Sequence, residues 1–368
     1  MPTPALFRPI QVRSLRLRNR IVIAPMCQYS AEDGCMNEWH LIHLGKLAMS
    51  GAGLLTIEAT AVTPEGRITY ADLGLWNDIT YAAMSLTLES IRRWSDTPIG
   101  IQLSHAGRKA STEVPWKGGS QCSAESGLGW QTIAPSSAPY TKGDHLPLSL
   151  DKDGIRAIRR AFGDASRRAA KAGIDVVQLH VAHGYLLHQF LSPLSNFRTD
   201  EYGGSLENRM RLPLEVFETA RDAFPPERPV SVRLSATDWV EGGIELEQTL
   251  TFAAELKKRG CDVIHVTSGG LDPSQRIPVG PNYQVPFARK IKEVVGLPVV
   301  AVGLITGFDQ AEGIVGTGDA DMVGLARTIL FDPNWPWHAA VHLGGKVRAP
   351  NQYLRSQPTH YRDLFDIE

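Results

Sequence analysis

Short runs of aliphatic and β-branched residues recur along the chain at Ile21–Ala24, Leu54–Val62, Ile99–Leu103, Val176–Val181, Val230–Leu234, Asp262–Thr267, Val299–Val302 and Asp321–Leu325. They show no clear apolar–polar alternation, which is the pattern of strands covered on both faces. Between most of them lie stretches of helical period with basic or glycine ends, such as Ile155–Gly173 and Leu246–Gly260. Strand–helix units in series imply parallel pairing, and eight of them predict an α/β fold, a single (β/α)8 TIM barrel spanning residues 1–368. An open doubly wound sheet is the rival, but no G-x-G-x-x-G follows the first run.

Three segments fall outside the repeat. Val12–Leu17 alternates basic and apolar residues around Ser14 and predicts a hairpin plugging the lower end of the barrel. Residues 104–150, after the third strand, are rich in Gly, Ser and Pro and far longer than an ordinary connection, which predicts a lid over the mouth. Residues 344–368, with Pro350 and Pro358, predict a C-terminal arm for another subunit.

Charge and cysteine content narrow the partners. With 38 basic and 39 acidic residues the net charge is −1, which removes the electrostatic case for nucleic acid or an anionic membrane and leaves a small molecule. Cys27, Cys35, Cys122 and Cys261 are scattered without a C-x-x-C pair, so no metal cluster or disulfide framework is indicated, and a reducing cytoplasm is expected. The apolar run Ile21–Met26 is too brief for a signal-peptide core or a membrane span.

In such a barrel the chemistry sits at the carboxyl ends of the strands. The candidates there are Pro25, Met26, Cys27 and Tyr29 after the first strand, Ala59 in the second, Gln102 and His105 at the third and His180, His183 and Tyr185 at the fourth. Arg233 in the fifth, Gly303 after the seventh, and Ala326 and Arg327 after the eighth complete the set. His180 and His183 would face apart on a continuing strand and together if the chain turned helical after His180. They could bind a metal with His188, stand as satisfied core histidines, or donate to a carbonyl or oxyanion. Gly184 permits a bend before Tyr185, a reasonable acid with its proton available at neutral pH. Gly303, a helix cap at Thr306 and the donors of Arg327 suit a phosphate, unless Gly303 only turns the chain and Arg327 pairs with Asp332 or Asp319. Arg233, inside a strand, needs an electron-rich partner or a buried ion pair. Cys27 is read as a small buried hydrophobe or a reactive thiol, and Met26 as core.

These residues resemble the old yellow enzymes, FMN-dependent barrel oxidoreductases, and within them the subgroup that includes the xenobiotic reductases. The resemblance runs through Asn19–Tyr29, Glu58–Val62 and Gln102–Lys109, and is most specific at His180–Tyr185 and Ser195–Arg209. It implies FMN across the mouth, with Ala24 to Cys27 and Ala59 beside the ring, Gln102 and Arg233 on its pyrimidine edge, and the phosphate near Gly303, Ala326 and Arg327. NADPH or NADH would reduce the flavin. An activated alkene such as an enone, enal or maleimide would then bind His180 and His183 through its carbonyl, take hydride from the flavin and a proton from Tyr185, with Tyr29 and Cys27 lining the pocket. The resemblance further implies a homodimer or a tetramer of paired dimers, in which Arg355 of Gln352–Arg355 reaches the neighbour's site. Two alternatives remain: an FMN reductase of uracil in transfer RNA, disfavoured by the balanced charge, and a flavin-binding barrel without turnover.

Overall fold

Eight strands close into a barrel: β1 (Ile21–Ile23), β2 (Leu54–Ala61), β3 (Ile99–Ser104), β4 (Val176–Val181), β5 (Val230–Ser235), β6 (Val263–Thr267), β7 (Val299–Ala301) and β8 (Met322–Leu325). The computed structural model describes residues 2–366; Met1 and the last two residues of the expected arm, Ile367 and Glu368, lie outside the described residues. All neighbours pair in parallel, and β1 closes the ring on β8 through Ile21↔Val323 and Ile23↔Leu325. Every residue of β3, β4 and β6 is buried, which is why their sequences do not alternate. One irregularity falls in β2, where the register with β3 shifts between Ile57 and Ala59 and leaves Glu58 unpaired in the ladder.

The helices form the outer ring: α1 (Glu38–Ala48), α2 (Asp78–Arg92), α3 (Lys152–Lys171), α4 (Leu206–Ala223), α5 (Leu246–Lys258), α6 (Val285–Val295), α7 (Phe308–Gly316) and α8 (Trp335–Leu343). In α3 the buried residues Ile155, Ile158, Phe162, Ala165 and Ala169 return every three or four positions, one stripe against the strands. Asp151 starts that helix by accepting the Gly154 N–H at 2.7 Å.

The hairpin pairs Ile10–Val12 with Leu15–Leu17, and its Val12 and Leu17 pack on Val22, Val263, Val300 and Met322 at the amino ends of the strands. The lid carries short turns at Gly107–Lys109, Pro115–Lys117 and Ala124–Ser126 and a two-residue parallel pairing of Ile133–Ala134 with Leu148–Ser149. Trp130 ties it to the body by donating its indole N–H to the Glu65 carbonyl at 2.8 Å. In the arm, Val347–Arg348 pairs with Phe365–Asp366, and Tyr353 packs edge-on against Trp337. The expected Thr306 cap is not made. Gln310 Oε1 takes the N–H groups of Thr306 and Gly307 instead, at 2.9 and 3.1 Å.

Candidate active site

β4 delivers His180 buried at its carboxyl end, and the chain does not turn helical until Leu186, where a short helix runs to Leu191. His183 and Gly184 take consecutive left-handed conformations, φ 55° and 73°, and this brings the second imidazole back to the first. His180 Nε2 and His183 Nδ1 face each other 3.4 Å apart, longer than a good hydrogen bond, and the rings meet edge to face. Only glycine fits at 184, since a Cβ there would lie 2.3 Å from the Gly270 carbonyl oxygen. Tyr185 follows with its ring edge-on to His180, centroids 4.9 Å apart. Lys109 braces the turn, donating to the carbonyls of His183 and Gly270 at 2.9 Å each, and its ammonium stands over the rings of Tyr140 and Tyr185.

Beside the turn opens a cavity of about 940 Å³ lined by Ala24, His183, Arg233, Thr267, Tyr283, Gly303, Leu304, Gly324, Ala326 and Arg327. Residues from β1, β5, β6, β7 and β8 thus converge on one space. Arg233 Nε has no partner among the described residues, and no acid pairs with the guanidinium, which sets aside the buried ion pair. Arg327 makes no ion pair there either; Asp319 lies near Arg289 and Asp332 near His338. Gly303, at φ 121°, presents bare backbone, and a Cβ would meet the Gln284 amide nitrogen at 3.0 Å. An uncompensated guanidinium on one wall and an unpaired arginine beside exposed backbone on another are the complement of a flat electron-rich ring carrying a phosphate. The residues fit FMN.

Burial sets the protonation states. It holds His180 and His183 well below the usual imidazole range, with the charge of Arg233 the next cause, so both are neutral donors. It pushes the Tyr185 phenol well above its usual value, and the Cys27 thiol likewise, aided by Asp72 and Glu58. Cys27 is therefore a protonated thiol, hydrogen-bonded with Tyr29, and no ready nucleophile. Burial also lowers Arg233 to about 10 and Lys109 to about 8.

The sequence-derived candidates divide cleanly. Ala24, His183, Arg233, Gly303, Ala326 and Arg327 line the cavity, while His180, Tyr185, Cys27 and Tyr29 cluster beside His183 and Arg233. Met26 packs against the core. Ala59 and Gln102 sit in the barrel wall, and Gln102 Nε2 donates to Gln178 Oε1 at 2.8 Å. Pro25 follows β1 after Ala24. His188 does not join a metal site, for no ligand cluster occurs among the described residues. Arg355 lies exposed on the arm, outside the cavity. Missed were Gln178 and His265, which meet at 3.2 Å inside the barrel, and Thr267, 3.0 Å from His183 Nε2. Each is a polar residue inside an apolar strand run, the same signal that marked Arg233.

Comparison with known proteins supplies the lineage. A model of the NADH:flavin oxidoreductase / NADH oxidase family matches residues 5–345. An NADPH dehydrogenase from Geobacillus thermodenitrificans is 44% identical over 352 residues, covering 95% of this chain and 98% of its own. The solved structure of morphinone reductase superposes with a TM-score of 0.76 at 28% identity, covering 95% of this chain and 92% of that one. The old yellow enzyme of Pichia sp. AKU4542 matches with a TM-score of 0.76 at 24% identity, over 95% of this chain and 89% of that one, a likeness of fold.

Proposed function

This chain belongs to the NADH:flavin oxidoreductase / NADH oxidase family, that of the old yellow enzymes, and from that premise we propose that it reduces the activated C=C bond of α,β-unsaturated carbonyl compounds. It is an FMN-dependent enzyme driven by NAD(P)H. Bound in the cavity, FMN would supply the redox chemistry, the passage of hydride from NAD(P)H to an electron-poor alkene. Arg233 and Gln102 would hold its pyrimidine edge, Gly303, Ala326 and Arg327 would hold its phosphate, and Ala24, Pro25, Met26, Cys27 and Ala59 would flank the ring.

The carbonyl oxygen of the acceptor takes N–H bonds from His180 and His183. Because both imidazoles are neutral, they polarise the carbonyl without protonating it. Electron density is drawn off the far alkene carbon, and negative charge develops at the near one. Tyr185 delivers its proton there, and its raised pKa keeps that proton in place at any working pH. Tyr29 and the Cys27 thiol border the substrate. The same reading places the enzyme in the cytoplasm as a homodimer or paired dimers, with Arg355 serving the neighbouring subunit.

One observation carries this reading: two neutral imidazoles face each other at 3.4 Å, with a half-buried phenol against one of them, beside the cavity of an unpaired guanidinium. The test is stopped-flow reoxidation of the NADPH-reduced, yellow protein by enones, maleimides and nitro compounds. Rapid reoxidation by enones is expected. Protein that cannot take up FMN, or whose reduced flavin is reoxidised by oxygen alone, overturns the proposal.

A further inference from the structure

His188 and Asp238, each 0% exposed, form a buried pair next to the donor turn, and the reaction leaves them without a role. His188 Nδ1 accepts the N–H of Gly184 at 3.0 Å, while its Nε2 lies 2.8 Å from Asp238 Oδ1. The other carboxylate oxygen, Oδ2, accepts from Ser192 Oγ at 2.7 Å and from the Ile244 N–H at 2.8 Å, so the acid is oriented through Oδ2 while Oδ1 meets the ring as a close charged contact.

The hydrogen bonding fixes the proton. A ring nitrogen that accepts a main-chain N–H must carry a lone pair, so the ring proton of His188 belongs on Nε2, in close contact with the carboxylate. The other tautomer would set N–H against N–H at Gly184 and a lone pair against a carboxylate. The turn needs such an anchor. His183 occupies the left-handed region, which histidine adopts only against resistance, and it does so next to a second left-handed residue. Ser235 Oγ accepts the His183 N–H at 3.1 Å, Lys109 grips its carbonyl and Gln189 Nε2 donates to the Gly184 carbonyl at 2.7 Å, so the Gly184 N–H is the remaining group of the turn before Tyr185.

We propose that Asp238 and His188 are positioning residues. The carboxylate sets the tautomer of His188, and His188 pins Gly184, so that His183 on one side and Tyr185 on the other keep their aim at the acceptor. The inference rests on the reading of His183 and Tyr185 as carbonyl donor and proton source.

The test uses the FMN-loaded enzyme and the variants His188→Leu, His188→Asn and Asp238→Asn. Three readouts are taken: the dissociation constant of p-hydroxybenzaldehyde from the flavin difference spectrum, the rate of reduction by NADPH, and the rate of reoxidation by cyclohexenone. His188→Leu should weaken the phenol about tenfold and slow reoxidation on the order of a hundredfold, with reduction by NADPH changed less than about twofold. His188→Asn, whose amide oxygen can accept the Gly184 N–H, should recover most of both losses. Asp238→Asn should fall between. Should His188→Leu lose its flavin, Asp238→Asn carries the test, with a phenol bound roughly threefold to tenfold more weakly. Wild-type values for phenol binding in both His188→Leu and Asp238→Asn, no recovery in His188→Asn, or equal losses in the two half-reactions overturn the inference alone. A wild-type enzyme that neither binds the phenol nor is reoxidised by cyclohexenone removes the functional reading and this inference with it.

Discussion

The two ends of the barrel are built from the same strands and obey opposite rules. At the base, Val12 and Leu17 from the hairpin meet Val22, Val263, Val300 and Met322 in a small apolar cluster that needs nothing from outside. At the mouth, Arg233 Nε and His180 Nδ1 stand without partners among the described residues, and His183 is held in a strained conformation. β6 runs from Val263 at one end to Thr267 at the other, so three residues of strand separate the two regimes. The contrast separates tasks: the base stabilises the cylinder by burying apolar area, and the mouth leaves polar groups unsatisfied until a ligand completes them.

That division can be attacked from either end. The largest effect is expected at the mouth, where Tyr185→Phe should slow reoxidation of the reduced flavin by an enone roughly 10²–10⁴-fold while leaving reduction by NADPH near wild type. Equal slowing of both half-reactions would show that the phenol is scaffold rather than acid. At the base, Leu17→Ala should cost about 2–4 kcal/mol in urea unfolding with both half-reactions unchanged. A change in catalysis from that site would mean the two ends are coupled. The sharpest contrast is Arg233→Leu. Removing a buried guanidinium without an acid partner should stabilise the FMN-free protein by about 1 kcal/mol, yet weaken FMN binding roughly tenfold to a hundredfold. Fluorescence titration and unfolding of the FMN-free protein check both signs, and a loss of stability would assign the arginine to the scaffold.

The smallest expected effect is the absence of one. His180 and His183, depressed by burial, are neutral at every pH above their lowered range, and Tyr185, raised by burial, is protonated at every pH below its raised one. The enone half-reaction should therefore be flat from about pH 6 to about pH 7, below the range in which Lys109, lowered to about 8, loses its proton. A limb inside that window that moves on substituting His180 would reverse the protonation assignment.

Much of this was legible in the sequence, and for a definable reason. The eight strands appear as unalternating apolar runs because both faces of each are covered, and β4 was located to the residue at both ends. The cavity residues stood out because Arg233 and Gly303 interrupt or end apolar runs where burial is expected. What escaped depended on tertiary partners. Lys109 gains its setting from Tyr140, a lid residue, and from carbonyls of other loops. The His180–His183 approach was expected through a helical turn, since spacing cannot distinguish that from two left-handed residues when only one of them is glycine. The cap at Thr306 failed because the helix takes Gly307 as its N-cap and leaves Thr306 one residue outside. Gln178 and His265 carried the same signal as Arg233 and were passed over.

The seam between β1 and β8 has a consequence for how the molecule is made. Ile21 and Val323 are partners from opposite ends of the chain, so the first strand emerges from the ribosome with one flank of amides and carbonyls unclaimed, and waits through nearly the whole of translation for its mate. A nascent cylinder of this kind cannot seal until synthesis is almost over. Its vulnerability to sticking to other chains is greatest while it is being born, and ends when the eighth strand arrives.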